Sequence, residues 1–441
     1  MKIVQKKVDL DTYSRKIFMD LYSPNNDTST KFFQPLNDLY PLSDKQYRCS
    51  ELSDIDYVKM GTLRVLSHAK SGHQFLQYHA DQGGRDLSVD HFFKALKSKR
   101  RLSNLMSLNH LMLPLMKGLR KDPFEEFETL KKWHFYAADG HYQQAAIFDA
   151  KAKSTVKGVQ TKIPTAHFFR MDLRTQHMGY IDLANCRSGK KREHDMTMIK
   201  RCESNELRNH APKGEKVLYV WDKACIDYAH WEKLKRSAGV YFCTLEKATS
   251  VVDLIRDHLY LDTDDPVNEG IEKDQLVGTS KGYELRRIVY TNPEDGTTYT
   301  YLTNEFTLPP SILVMLYKHR WDIEKVFHQF KSKLEERRSW ASSPTAKKAH
   351  AIFECVAHNL MLLFEDFLID TEGLSDEVEK KKQAGRIKNI QQSQSFINTH
   401  LRRATQRTQR FIRWLRSFLY SPAQWSKARS RLAIVWGCCS S

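Results

Sequence analysis

Three acidic residues and one short helical segment are the places in this 441-residue chain where side-chain type and spacing could do chemistry. Asp139 follows the apolar run His134-Phe-Tyr-Ala-Ala, and Asp222 follows Val217-Leu-Tyr-Val-Trp. A carboxylate that closes an apolar strand is costly unless it is capped, paired or bound to a cation. For either strand alone, a turn-forming aspartate is explanation enough. Two in one region differ, because neighbouring strand ends can bring both carboxylates together. Oxygen-only ligands then suit Mg2+ or Mn2+ better than zinc. Asp227 and Asp195 are the nearby competitors. Asp227 lies past the turn after Asp222, and Asp195 is read as opening a helix, where the dipole favours an acid.

The third acid, Glu324, falls on a helix expected to open at Pro309-Pro310 and to run to about Leu334. At about 100° per residue, Tyr317, Arg320, Glu324 and Lys331 project within a sector of roughly 60°. Ile312, Leu316, Ile323, Phe330 and Leu334 share a different face, which can pack on a sheet. One face is therefore core, and another presents a phenol, a guanidinium, a carboxylate and an ammonium in a row. Arg320 and Glu324 at i, i+4 also make an ordinary surface ion pair, worth roughly a few tenths of a kcal/mol.

Positioning these groups requires a sheet. Strand-like runs at 134–138, 167–173 and 178–184 are followed by a helical stretch at 193–208, a strand at 217–221, a helix at 228–236 and a strand at 239–244. Three hairpin-connected strands and then helix-linked ones make an α/β fold, a mixed sheet covered by helices. Residues 246–309 read as a β-rich insertion with a hairpin turn at Asn292-Pro-Glu-Asp-Gly296. Residues 1–125 read as helical and loop-rich, loosely packed over the Gly/His/Gln-rich stretch 69–84. One basic helix is expected there from Ser88 to about Leu102, capped by Asp90, with Lys94, Lys97 and Arg101 as candidate DNA contacts. Residues 371–441 form a third region. From Lys380 onward the chain holds fourteen Lys/Arg and no Asp or Glu, yet also Trp414, Trp425 and Trp436, so a folded helical tail is expected rather than a basic arm. Arg402, Arg403, Arg407, Arg410, Arg413 and Arg416 make a basic stripe on it, again suited to phosphate backbones. A solvated helix face explains the first basic helix equally simply; for the tail, where DNA backbone contact is the favoured reading, the alternatives are a solvated helix or one that packs against a second protomer.

Lys plus Arg number 70 against 53 Asp plus Glu, so the formal charge is +17, which favours a polyanionic partner. With 41% apolar residues the chain is not wholesale disordered. The most apolar stretch, 351–368, carries Glu354, His358, Asn359, Glu365 and Asp366, which argues against a membrane span. Eight scattered cysteines without a CxxC pair argue for a reducing compartment and against a disulfide framework or zinc module. The basic start of the chain is not a secretory signal. His68, His73 and His79 lack ligand spacing, and there is no phosphate-cradling P-loop.

Tyr317-Lys-His-Arg320-Trp-Asp-Ile-Glu324, with Lys331 seven residues on, resembles the Tyr-Arg-Glu-Lys signature of bacterial insertion-sequence DDE transposases. The two aspartate strands and Gly239-Val-Tyr-Phe-Cys-Thr244 resemble that family's aspartate regions, over roughly residues 90–370. The resemblance implies an RNase H-like core spanning 126–370, in which Asp139, Asp222 and Glu324 hold two Mg2+ ions, with Mn2+ as a substitute. It implies metal-dependent cleavage at transposon terminal inverted repeats and transfer of the freed 3′-OH into target DNA. Tyr317 and Arg320 would hold the terminal phosphate, and Lys331 the backbone beside the cut. Because two ends must be joined in one event, a homodimer on double-stranded DNA is expected, in the cytoplasm at the nucleoid. Lys223-Ala-Cys225 and Leu245-Glu-Lys247 depart from the family pattern, which motivates the alternative of a catalytically inactive, transposase-derived DNA-binding protein.

Overall fold

The computed structural model describes residues 27–42, 52–153, 160–162, 164–184, 193–223, 225–250, 252–259, 261–334, 338–390, 396–400, 406–421 and 423–438. The start of the chain, Arg402, Arg403 and Cys439 lie outside them, and with them the expectations placed there.

The N-terminal helices are α1 (Thr28–Leu39), α2 (Asp54–Leu66), α3 (Gly72–Asp81), α4 (Val89–Leu96) and α5 (Lys99–Leu119). Two expectations are corrected here. The stretch 69–84 is not loose, because α3 buries Phe75 and Leu76. The basic helix is two helices, because Ser98 accepts from the Arg101 N–H and starts a new one, while Ser88 rather than Asp90 caps α4.

Strands β1 (Trp133–Gln143), β2 (Lys151–Lys153), β3 (Gln160–Lys162), β4 (Thr165–Asp172) and β5 (Met178–Leu183) follow. Then come α6 (Asp195–Arg201), α7 (Ser204–Arg208), β6 (Lys216–Val220), α8 (Tyr228–Ala238) and β7 (Val240–Leu245). The helical stretch at 193–208 is split by a capping box at Glu203 and Glu206. Next are β8 (Val252–Arg256), β9 (Ile271–Thr279), β10 (Glu284–Thr291) and β11 (Thr298–Thr303). Helices α9 (Pro310–Lys318), α10 (Trp321–His328), α11 (Pro344–Asp370), α12 (Glu377–Ile390), α13 (Phe396–His400), α14 (Gln409–Leu419) and α15 (Trp425–Trp436) complete the chain.

The main sheet runs β5-β4-β1-β6-β7-β11-β10-β9-β8. β1 pairs antiparallel with β4 and parallel with β6, which pairs parallel with β7. These five strands with their flanking helices form an RNase H-like α/β core. The insertion is continuous with it, because β11 adds antiparallel to β7.

Residues alternate between the two sheet faces. Phe135, Ala137, Leu218, Val220 and Cys243 belong to the larger apolar cluster, which also takes in Phe32, α11, Trp414 and Trp436. Tyr136, Ala138, Tyr219, Trp221 and Phe242 pack on the opposite face with Trp231 of α8. The N-terminal helices, one sheet face and the folded basic tail thus share a core. Helix α11 is its axis, and its polar residues are tied down. Asn359 Oδ1, for example, accepts from the Met178 N–H at 2.8 Å. Among the described residues no helix is long and apolar enough to cross a membrane.

Candidate active site

Asp139 does not end its strand. Strand β1 continues to Gln143 because β4 pairs with it as far as Gln143–Thr165, after β6 has left at Val220. The parallel register ends at Ala137–Val220, and Asp139 and Asp222 each lie two residues further along their chains. Ala137 and Val220 belong to the apolar cluster shared with α9–α11. Asp139 Oδ1 accepts from the Gly140 N–H, and Asp222 Oδ1 from the Lys223 N–H, both at 2.7 Å.

The expected long helix is three pieces. Helix α9 ends at Lys318, and i→i−3 bonds from Arg320, Asp322 and Ile323 tighten the link into α10. Residues Gln329–Lys333 then widen into a π turn. The apolar face holds, with Ile312, Leu316, Ile323, Phe330 and Leu334 all buried. The polar row does not stay one exposed stripe, because the tightened and widened turns change the angular step. Tyr317 is buried edge-on against Tyr301, ring centroids 5.1 Å apart. Glu324 is half-buried and Lys331 exposed.

Arg320 is the junction. Its Nη1 lies 2.7 Å from Glu324 Oε1 and 4.0 Å from Asp139 Oδ2, so strand and helix carboxylates meet across one buried guanidinium. Its Nε is buried with no hydrogen-bond partner among the described residues. Burial works to lower the Arg320 pKa, but Tyr317, Glu324 and Asp139 more than offset it. Burial pushes Asp139 up to about 6; the Gly140 N–H and Arg320 oppose this, and Asp195 and Glu324 add to it.

Asp195, read from sequence as a helix opener, does open α6, but it also faces the site. Its Oδ2 lies 3.9 Å from Cys225 Sγ, and its carboxyl pKa is raised by burial and by Asp222. Burial likewise raises the Cys225 thiol, with Asp195, Asp139 and Asp222 all adding to it. Four carboxylates therefore share one electrostatic neighbourhood. The only sequence signal for Asp195 was its closeness to the aspartate strands. Among the described residues, no three His, Cys, Asp or Glu side chains stand close enough together to hold one ion as placed.

A family model described as a transposase DDE domain matches residues 108–360, which includes all three acids and the α9–α10 segment. The chain belongs to the DDE transposase family. A protein of Sinorhizobium fredii (strain NBRC 101917 / NGR234) named "Putative transposase y4zB" is 26% identical over 148 residues, 32% of this chain. The match covers 41% of that relative's length.

The remaining basic candidates of this transposase-family chain divide by burial. Lys94 and Lys97 are exposed, Lys94 paired with Asp90 at 2.6 Å. Arg101 is buried, donating to the Leu52 carbonyl at 2.7 Å and sitting 3.4 Å from Asp54. Arg407 is buried in an ion pair with Glu365, and Arg410 pairs with Asp376 at 2.8 Å. Arg101 and Arg407 are therefore buried rather than on the open surface expected from the sequence: Arg101 ties α5 to Leu52 and Asp54, and Arg407 ties the tail to α11.

Proposed function

We propose that this chain is a transposase that cleaves the ends of its own element and transfers the 3′-OH into target DNA, with Asp139, Asp222 and Glu324 as its catalytic carboxylates. The observation that carries this reading is the Asp139–Arg320–Glu324 contact between strand and helix, with Asp222 two residues past the end of the paired β6. The all-oxygen donor set, and an Asp139 carboxyl whose pKa is raised by burial first and by Asp195 and Glu324 after it, fit two Mg2+ ions or Mn2+. Divalent cations held there would supply a deprotonated oxygen nucleophile and stabilise the leaving alkoxide of the phosphodiester. Arg320 already holds a guanidinium between the carboxylates, and its planar fork suits a phosphate oxygen. Tyr317 packs beside it and limits where it can swing. Lys331, exposed one helical stretch on, would take the adjacent backbone. We assign residues 1–125 to end recognition, 126–370 to catalysis and 371–441 to a basic helical support, acting as a homodimer on double-stranded DNA at the nucleoid.

The test uses the full chain with duplexes drawn from the genomic DNA on either side of its coding sequence. With Mg2+ the protein is expected to nick one of them at a discrete position, and Glu324→Gln to abolish nicking while still binding. Retained cleavage by that variant would overturn the assignment. A second reading, a catalytically silent DNA-binding relative, draws on the Arg320 guanidinium standing where a cation would sit and on Lys223-Ala-Cys225. Wild-type protein that binds these duplexes but never nicks them, with Mg2+ or Mn2+, would decide for it.

A further inference from the structure

A cavity of about 690 Å3 opens where the N-terminal helices meet the chain after the π turn, and the acidic site does not use it. Its deepest cation is Arg64, 8% exposed, with its guanidinium carbon 4.1 Å from the Trp340 ring centroid and 5.4 Å from that of Phe93. Arg64 Nη1 is buried with no hydrogen-bond partner among the described residues. Burial holds this guanidinium's pKa down to about 9, still charged at neutral pH. A buried, unmatched cation is costly, and an anion entering the cavity would relieve that cost. His350 lines the same space, stacked 4.0 Å from Trp340, with its Nδ1 also unpartnered. The one lining carboxylate among the described residues, Glu354, is engaged by Gln143 Nε2 and His350 Nε2, each at 3.4 Å.

The rim repeats this chemistry in the open. Lys97 and Arg338 are exposed cations, and Phe148 is an aromatic ring left 88% exposed. A trapped cation, rim cations and one bare aromatic ring beside the half-buried Phe93 together match a ligand that is anionic on one side and planar on the other. The volume is that of an ordinary small-ligand site, roughly 300–1,000 Å3. We infer that this cavity binds one unstacked nucleotide, its phosphate against Arg64 and the rim cations and its base against Phe148 and Phe93.

The cavity is tied to both elements of the acidic site. Ser339 Oγ donates to Gln143 Oε1 at 2.7 Å, at the end of the strand that carries Asp139. Leu334, which closes the segment that carries Glu324 and Lys331, lines the cavity. From Asp139 to Gln143 is about 13 Å at strand rise, or roughly four steps of a stacked DNA strand. The inference needs no cleavage and stands apart from the catalytic reading.

Its test is accordingly made in EDTA, where no cutting occurs. Fluorescence anisotropy of a labelled short oligothymidylate with the full chain is expected to show binding. Phe148→Ala, a surface change with no packing to lose, is expected to weaken that binding about tenfold while leaving a blunt duplex within about twofold. Arg64→Gln probes the deep end, with circular dichroism as the check that it folds. Displacement of the oligonucleotide by dTMP would make a free nucleotide sufficient, whereas binding of the oligonucleotide alone would make the ligand a strand; both support the inference. Wild-type affinity for single strand in Phe148→Ala, or equal losses on single strand and duplex, would overturn it.

Discussion

Two arginine–carboxylate clusters in this molecule use the same functional groups to opposite ends. In the insertion, Arg286 is 0% exposed and fully engaged. Nε and Nη2 reach the two oxygens of Asp274 at 2.7 and 2.8 Å, Nη1 donates to the Leu308 carbonyl at 2.6 Å, and Glu305 lies 3.8 Å away. Around Arg320, one guanidinium serves two carboxylates unequally, its Nε has no hydrogen-bond partner among the described residues, and the Asp139 pKa is raised rather than lowered. The first cluster is closed and fastens β9 to β10 and to the chain leading into α9. The second is open, with a raised carboxyl pKa of the kind that clusters at functional sites.

The largest effect should come from breaking the closed cluster. Asp274→Asn leaves a buried guanidinium without its main counter-charge and should cost about 3–5 kcal/mol in urea unfolding. A loss under about 1 kcal/mol would mean that Glu305 alone suffices and that the contrast is overdrawn. The same substitution at Asp139 should have the opposite sign. A folded-state pKa of about 6, above the ordinary value of 3.8, means that the native state holds the proton more tightly than the unfolded chain. Stability is then lost as pH rises from about 4 through 6, and an amide escapes that loss. Asp139→Asn should gain about 1–3 kcal/mol at pH 7.5 and nothing near pH 4. A constant offset across pH would disprove the raised carboxyl.

Divalent cations sharpen the contrast further. Mn2+ at roughly ten to thirty times its Kd should stabilise the wild type by about 1–2 kcal/mol. Asp139→Asn and Glu324→Gln should lose that gain, and Asp274→Asn should keep it. Equal stabilisation of all four proteins would place the ion elsewhere.

Much of this architecture is legible in the sequence. The strands around Asp139 and Asp222, the β-rich insertion and its turn, and the buried face of the α9–α10 segment follow from apolar periodicity and turn residues, which are local signals. What was not legible depended on partners distant in sequence. Strand β1 runs past Asp139 only because β4 continues beside it. The i→i−3 turn at Arg320 and the π turn after His328 change the angular step that a uniform helix assumes. Arg101 and Arg407 look like surface cations in a basic stretch, but Asp54 and Glu365, 47 and 42 residues away in sequence, draw them inward.

That last difference yields the smallest and most local test. Lys331 is exposed seven residues after Glu324, whereas Arg101 is buried with its guanidinium on the Leu52 carbonyl and Asp54. A cation that meets DNA displaces a counterion, so each such contact steepens the salt dependence of binding by about one unit of slope. Lys331→Ala should reduce the slope of log K against log salt by about one and leave stability within about 0.5 kcal/mol. Arg101→Ala should leave the slope unchanged and lower stability instead. Should the Arg101 variant flatten the slope in a chain that still folds, the buried arginines would have to turn outward on DNA, and burial would no longer sort the basic residues of this protein.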